Sequence, residues 1–180
     1  LEDPLHARGR ARGVSLWLQP QGPFRERLRS VVDRLAARFG GPVLEPHVTL
    51  VAGLPGDEGE ILQRAQALAA TLQPLSLRLE RVARRDEYFR ALFVEAIGGE
   101  PLHAAHAAAC RGFGHRPAGP FQPHLSLAYG RLDPAAVEAA GREISNEVQG
   151  RFESAALHVV RTEGPVADWR ELAVVPFGQP

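Results

Sequence analysis

Two short runs of side chains in this sequence have the types and spacing for proton transfer: Pro46-His47-Val48-Thr49-Leu50 and Pro123-His124-Leu125-Ser126-Leu127. Each sets an imidazole two residues ahead of a hydroxyl. On an extended strand, alternate side chains share a face. His47 and Thr49 therefore point one way, and Val48 and Leu50 the other. His124 and Ser126 oppose Leu125 and Leu127 in the same manner. The Val and Leu faces serve as core, which leaves the imidazole and hydroxyl faces for chemistry. Two imidazoles on opposite sides of one phosphorus suit the opening of a phosphodiester. Free histidine titrates near ~6.5, so one ring can start neutral and accept a proton from water while the other starts protonated and serves a leaving alkoxide. The hydroxyls can donate to the non-bridging oxygens, where positioning and charge stabilisation supply much of the catalysis. Neither a metal nor another cofactor is required.

One His-x-Thr alone is weak, because many strand histidines only satisfy backbone. The second copy changes the weight, because it falls within an internal repeat. A shift of 77 residues lays Pro46 on Pro123, His47 on His124, Thr49 on Ser126, Leu50 on Leu127 and Gly53 on Gly130. It also superimposes the surrounding elements. A strand at 14–18 leads to a helix with Phe24, Leu28, Val31, Val32, Leu35 and Phe39 at helical spacing, ended by Gly40-Gly41-Pro42. A strand at 43–51 carries the first motif. Asp57 and Glu60 have capping-box spacing ahead of a second helix, and a strand follows from Leu75. The second half repeats the order: strand 89–97, a helix around Leu102–Phe113 behind Pro101, motif strand 123–130, and a helix opened by Asp133-Pro134. Strands around 152–161 and 169–177 close the chain. The repeat predicts two lobes, about 13–85 and 89–162 with a closing strand at 168–177, related by a pseudo-twofold axis that brings both motifs to one cleft.

The 180 residues suit one domain of this kind. All 21 Lys-or-Arg positions are Arg, matched by 21 acids, so the net charge is zero. That disfavours a broad, sequence-blind nucleic-acid surface but allows a local site for a small anion. One cysteine, Cys110, and no apolar run of membrane-spanning length predict a cytoplasmic protein without an intrachain disulfide or a membrane. Residues 1–12 are expected to form a flexible Arg-rich arm, or residue left by a vector, outside the fold. His103, His106 and Cys110 fall at i, i+3, i+7 but lack a fourth ligand, so no metal site is expected. His158 reads as a structural strand residue.

The paired motifs resemble those of the 2H phosphoesterases, a superfamily named for two His-x-(Thr/Ser) motifs. The sequence is most similar to the plant and yeast cyclic phosphodiesterases: Ser15-Leu16-Trp17 in the first strand, Pro before both motifs, Tyr129 in His-Leu-Ser-Leu-Ala-Tyr, and Trp169-Arg170-Glu171-Leu172-Ala173-Val174-Val175 near the end. This resemblance implies an α+β fold of two lobes whose antiparallel sheets line a central cleft, with helices outside. It implies hydrolysis of ADP-ribose 1″,2″-cyclic phosphate or of nucleoside 2′,3′-cyclic phosphates. By that likeness His124 is the base, His47 the acid, and Thr49 and Ser126 hold the phosphate. Trp17, Phe89 and Tyr129 are candidates to stack a base, worth ~1–3 kcal/mol. The expected partner is a small cyclic nucleotide, bound by a monomer. RNA 3′ ends are the alternative substrate, and a non-catalytic nucleotide-binding module is the alternative without turnover.

Overall fold

The computed structural model describes residue 4 and residues 6–178, and the chain runs through them in matched segments. The first half holds β1 (Arg10–Ala11), β2 (Val14–Leu18), α1 (Gly22–Phe39), β3 (Val48–Leu54), α2 (Glu58–Thr71) and β4 (Leu75–Ala83). The second holds β5 (Leu92–Ile97), α3 (Gly99–Phe113), β6 (His124–Ala128), α4 (Pro134–Val148), β7 (Gly150–Ser154), β8 (Ala156–Arg161), β9 (Gly164–Pro165) and β10 (Arg170–Pro176). Local chemistry sets the helix ends. The Asp57 carboxylate accepts from the Gly59 and Glu60 amides, and the Asp133 carboxylate from Ala136, satisfying amides that have no partner within the helix. Gly40 ends α1 in the left-handed conformation (φ 67°) that favours glycine.

Eight strands form one antiparallel sheet in the order β10-β8-β2-β3-β6-β5-β4-β7, and β1 pairs with β9 beside it. The sheet is two four-stranded halves, joined where Val48 pairs with Leu125. These two residues are equivalents under the 77-residue shift. An axis relating two like halves must bring equivalent residues together where it crosses their interface, so the pseudo-twofold passes between them. The α+β architecture expected from the sequence is present, with its two antiparallel halves and outer helices. Val48, Leu50, Leu125 and Leu127 are buried toward the core at 1 % exposure or less, each worth about 1.5–3 kcal/mol. The opposite faces of β3 and β6 turn to the cleft.

The repeat halves are not the spatial lobes. β4, from the first half, pairs with β5, and β8, from the second half, pairs with β2. Helices exchange as well: α1 packs on β6 and α4, and α3 on β3 and α2. The strand expected over 152–161 is divided at Ala155, so that β7 joins one half-sheet through β4 and β8 joins the other through β2. Two further boundaries move. The first motif strand starts at Val48 rather than Val43, since Pro46 has no amide to give a ladder. Tyr88–Arg90 forms a single 3-10 turn, so Phe89 precedes β5 instead of opening it.

The expected free arm is also corrected for its described residues. Arg10 and Ala11 pair with Pro165 and Gly164, His6 sets its ring edge-on to Phe89 at 5.1 Å, and Gly9 lies against the Tyr88 ring. Backbone pairing holds this segment, and backbone pairing leaves no mark in an apolar pattern.

Candidate active site

His47 immediately precedes β3, and His124 is the first residue of β6. Val48 pairs with Leu125, and in an antiparallel ladder the next residues outward face each other across the strands. Extending the register by one residue sets His47 opposite Ser126 and Thr49 opposite His124, all on one face. The motifs thus give two imidazoles and two hydroxyls at the corners of one small rectangle straddling the pseudo-twofold axis. That rectangle forms the floor of a cleft of about 620 Å³, and all seven sequence-selected residues (His47, Thr49, His124, Ser126, Trp17, Phe89 and Tyr129) line it.

Both imidazoles are held alike. His47 Nδ1 donates to the Glu45 carbonyl at 2.6 Å, and His124 Nδ1 donates to the Gln122 carbonyl at 2.8 Å. A carbonyl only accepts, so the proton of each neutral ring is on Nδ1, and Nε2 keeps its lone pair. Burial pushes the His47 pKa down to about 4, and the His124 and His158 imidazoles push it the same way against the pull of the Glu45 carbonyl. His124 is lowered too, first by burial and then by Arg90 and Arg85, against the Gln122 carbonyl and Glu87. Both shifts favour the neutral ring near pH 7.

The hydroxyls differ. Among the described residues no hydrogen bond engages the Thr49 hydroxyl. Ser126 donates to the Phe89 carbonyl at 3.0 Å, and burial raises the Tyr129 phenol to about 12 against the opposing pull of the Ser126 hydroxyl. Tyr129 is therefore neutral and buried at the edge of the site. Trp17 has a local task, because its indole stacks on the His47 ring with centroids 3.6 Å apart and planes 10° from parallel. Phe89 stays half-buried, 5.8 Å from Trp169.

Several lining residues escaped sequence reasoning. Trp169 completes the aromatic wall, its indole N–H donating to the Gly164 carbonyl at 3.2 Å. Ser15 and Thr162 share a buried hydroxyl contact of 2.9 Å at the back of the cleft. Ser15 could have been found, since it alternates with Trp17 along β2. His6, Arg12, Arg90, His115 and Arg116 add positive or titratable groups; all but Arg90, which the sequence placed in the strand over 89–97, come from segments without periodic pattern. His158 lies beside the site: it pairs with Trp17 across β8 and β2 and bonds Glu171 through Nδ1 at 2.7 Å. His106 Nδ1 donates to the Leu50 carbonyl at 2.7 Å, and its ring stacks on Phe121. Among the described residues no group of His, Cys, Asp and Glu is arranged to hold a metal ion, and no helix is long and apolar enough to cross a membrane.

A duplicated α+β fold that brings two His-x-hydroxyl motifs to one cleft defines a two-histidine phosphoesterase. Comparison with known proteins gives the family: the model of the 2′-5′ RNA ligase superfamily matches residues 21–165, and the chain belongs to that superfamily. A 2′,3′-cyclic-nucleotide 3′-phosphodiesterase of Yarrowia lipolytica is 25 % identical over 92 % of this chain and 100 % of its own length. A cyclic phosphodiesterase of Arabidopsis thaliana is 24 % identical over 66 % of this chain and 65 % of its own. Among solved structures, TT0787 of Thermus thermophilus superimposes with a TM-score of 0.64 at 19 % identity, covering 92 % of this chain and 98 % of that one. Apo LigT of E. coli gives 0.60 at 13 % identity over 94 % and 99 %. These two structures share the fold.

Proposed function

We propose that this protein hydrolyses a small cyclic phosphodiester, a nucleoside 2′,3′-cyclic phosphate or ADP-ribose 1″,2″-cyclic phosphate, with His47 and His124 as the acid–base pair. One observation carries the reading: two imidazoles, each with its Nδ1 proton given to the carbonyl two residues back, line one cleft with both Nε2 atoms uncommitted among the described residues. The names of the Yarrowia and Arabidopsis relatives support the cyclic substrate.

The roles are assigned by likeness to the cyclic phosphodiesterases. The substrate phosphate brings one negative charge beside two neutral rings and favours uptake of one proton. By that likeness we assign His47 as the acid; the face of the Trp17 indole favours its imidazolium by about 1–2 kcal/mol and so offsets part of the burial that lowers its pKa to about 4. His124 Nε2 then accepts a proton from water as the water oxygen bonds to phosphorus. The bond from phosphorus to the leaving ring oxygen breaks, and His47 Nε2–H protonates that oxygen. The product is a phosphomonoester: the 2′-phosphate if the 3′ ester bond is cut, or the 1″-phosphate from the ADP-ribose compound. The Thr49 hydroxyl donates to a non-bridging oxygen, and Ser126 can do so by turning from the Phe89 carbonyl.

The test is turnover of ADP-ribose 1″,2″-cyclic phosphate, the 2′,3′-cyclic nucleotides and RNA ending in a cyclic phosphate by the protein and its His47→Ala and His124→Ala variants. Each variant is expected to lose about 10²–10⁴-fold in kcat. Near-full activity in either rejects the pair, much faster turnover of the RNA moves the substrate to RNA ends, and cyclic-nucleotide binding without turnover of any substrate makes the protein a binding module.

A further inference from the structure

Residues 45 and 122 each lie two positions before a motif histidine and are equivalents under the 77-residue shift. Both carbonyls belong to segments outside the strands, although the neighbouring Pro123 carbonyl accepts from the Ala96 amide at 3.0 Å. Their side chains are held as well. The Glu45 carboxylate accepts from Arg25 Nε at 2.7 Å and from an Arg29 terminal nitrogen at 2.8 Å, both arginines standing on α1. The Gln122 amide oxygen accepts from Arg85 at 2.8 Å and from Arg90 at 3.4 Å, both in the link between β4 and β5. That link is closed on itself: the Arg85 amide donates to the Arg90 carbonyl at 3.0 Å, and Arg90 pairs with Glu87 at 2.7 Å. Different elements supply the arginines, yet the result is the same on both sides of the axis. The proline between, Pro46 or Pro123, has a pinned φ and pushes the residue before it into extended backbone. Once the side chain at i−2 is gripped, little freedom remains between its carbonyl and the imidazole.

We infer that Glu45 and Gln122 are paired positioning residues, each clamped by two arginines so that its carbonyl holds the neighbouring histidine in the Nδ1–H tautomer with Nε2 presented to the cleft. The inference rests on the two-histidine reading above. The clamp acts through the imidazole and not on the substrate, so it raises kcat and leaves KM nearly alone. The two copies also differ in charge. Glu45 neutralises its arginines, whereas neutral Gln122 leaves Arg85 and Arg90 balanced, among the described residues, only by Glu87, and both arginines lower the His124 pKa. Position 122 shows that an amide suffices to accept the arginine bonds.

The experiment measures kcat, KM and the histidine ¹⁵N–¹H spectrum of Glu45→Ala, Glu45→Gln and Gln122→Ala. Loss of a partner that orients a working imidazole costs about 10-fold or more. The expected result is a kcat drop of about that size in each alanine variant with KM within about 2-fold, and most of the activity kept in Glu45→Gln. The neighbouring histidine should pass from a single Nδ1–H tautomer to a mixture. Gln122 is exposed, so its variant reports on the clamp even if Glu45→Ala does not fold. A single Nδ1–H tautomer retained in the alanine variants, or unchanged kcat, overturns the inference. The spectrum reports on the clamp whatever the substrate, so a wild-type protein without turnover would reject the proposed function while leaving the clamp to be judged by tautomer.

Discussion

At the residue scale the site is made by burying imidazoles and orienting them with local bonds. Burial has a thermodynamic consequence at His47. Its folded pKa of about 4 lies below the free value of 6.5. Above pH 6.5 both folded and unfolded chains hold the ring neutral, and its titration costs nothing. As pH falls, the unfolded chain takes up a proton that the folded chain refuses, so stability declines until the pH nears 4. The shift is worth about 3 kcal/mol at ~1.4 kcal/mol per unit. Replacing His47 by Gln removes this term. In urea titrations at pH 8, 6, 5 and 4, the stability of His47→Gln relative to wild type should rise by about 3 kcal/mol on acidification. A difference that stays constant with pH would mean that the ring titrates normally. His124 is lowered in the same direction, so His124→Gln should show the same sign. The two-residue spacing made these residues legible in the sequence. Their tautomers were not, because the carbonyls that set them lie outside the motifs.

At the element scale, the corner at Gly13 fixes one wall of the cleft. There β1 turns into β2, and the Gly13 carbonyl accepts from the Thr162 amide at 2.9 Å while its amide donates to Glu163 at 2.7 Å. Gly13 has a φ of 66°, and a Cβ there would stand 2.3 Å from the Leu54 carbonyl oxygen. Gly13→Val should therefore cost about 2–4 kcal/mol, from backbone strain and a clash that cannot be relieved by rotating a side chain. It should also raise KM, since Arg12 and Ser15 flank the corner and line the cleft. Gly112→Ala is the control. It lies within α3 with nothing inside 4 Å, and Ala favours a helix by about 1 kcal/mol. Denaturant midpoints of both variants check this; a Gly13→Val as stable as wild type would show that the corner tolerates another conformation. The glycine was not conspicuous in the sequence, and the segment ahead of it, Arg-rich and without apolar period, read as an arm. Periodicity reports which face of an element is apolar. It does not report backbone pairing of two-residue strands, which is why β1, β9 and the place of Trp169 against Phe89 emerged only with the fold.

At the scale of the whole molecule, the duplication was legible and the exchange of elements was not. Sliding the sequence on itself matches α1 to α3 and α2 to α4, and leaves open which sheet each joins. The fold answers by crossing them. α1 offers Leu28, Val31, Val32 and Leu35 to β6 and α4 of the other half, and α3 offers Leu102, Ala105 and Ala109 to β3 and α2. Each half buries its helices largely on the other, and β4 and β8 each complete the opposite half-sheet. A chain divided between Asp86 and Glu87 should therefore give two fragments with no cooperative melting transition of their own, because the apolar surface each must bury lies on the other. Mixed at equal concentration, the fragments should recover a single transition and, with it, the cleft, since both imidazoles flank the axis on which the halves meet. Circular dichroism melts of each fragment and of the mixture, with the mass of the folded species measured in parallel, test this. A fragment that melts cooperatively as a monomer would mean that the repeat halves are autonomous units after all, and that the crossing of α1, α3, β4 and β8 is not what holds the two motifs together.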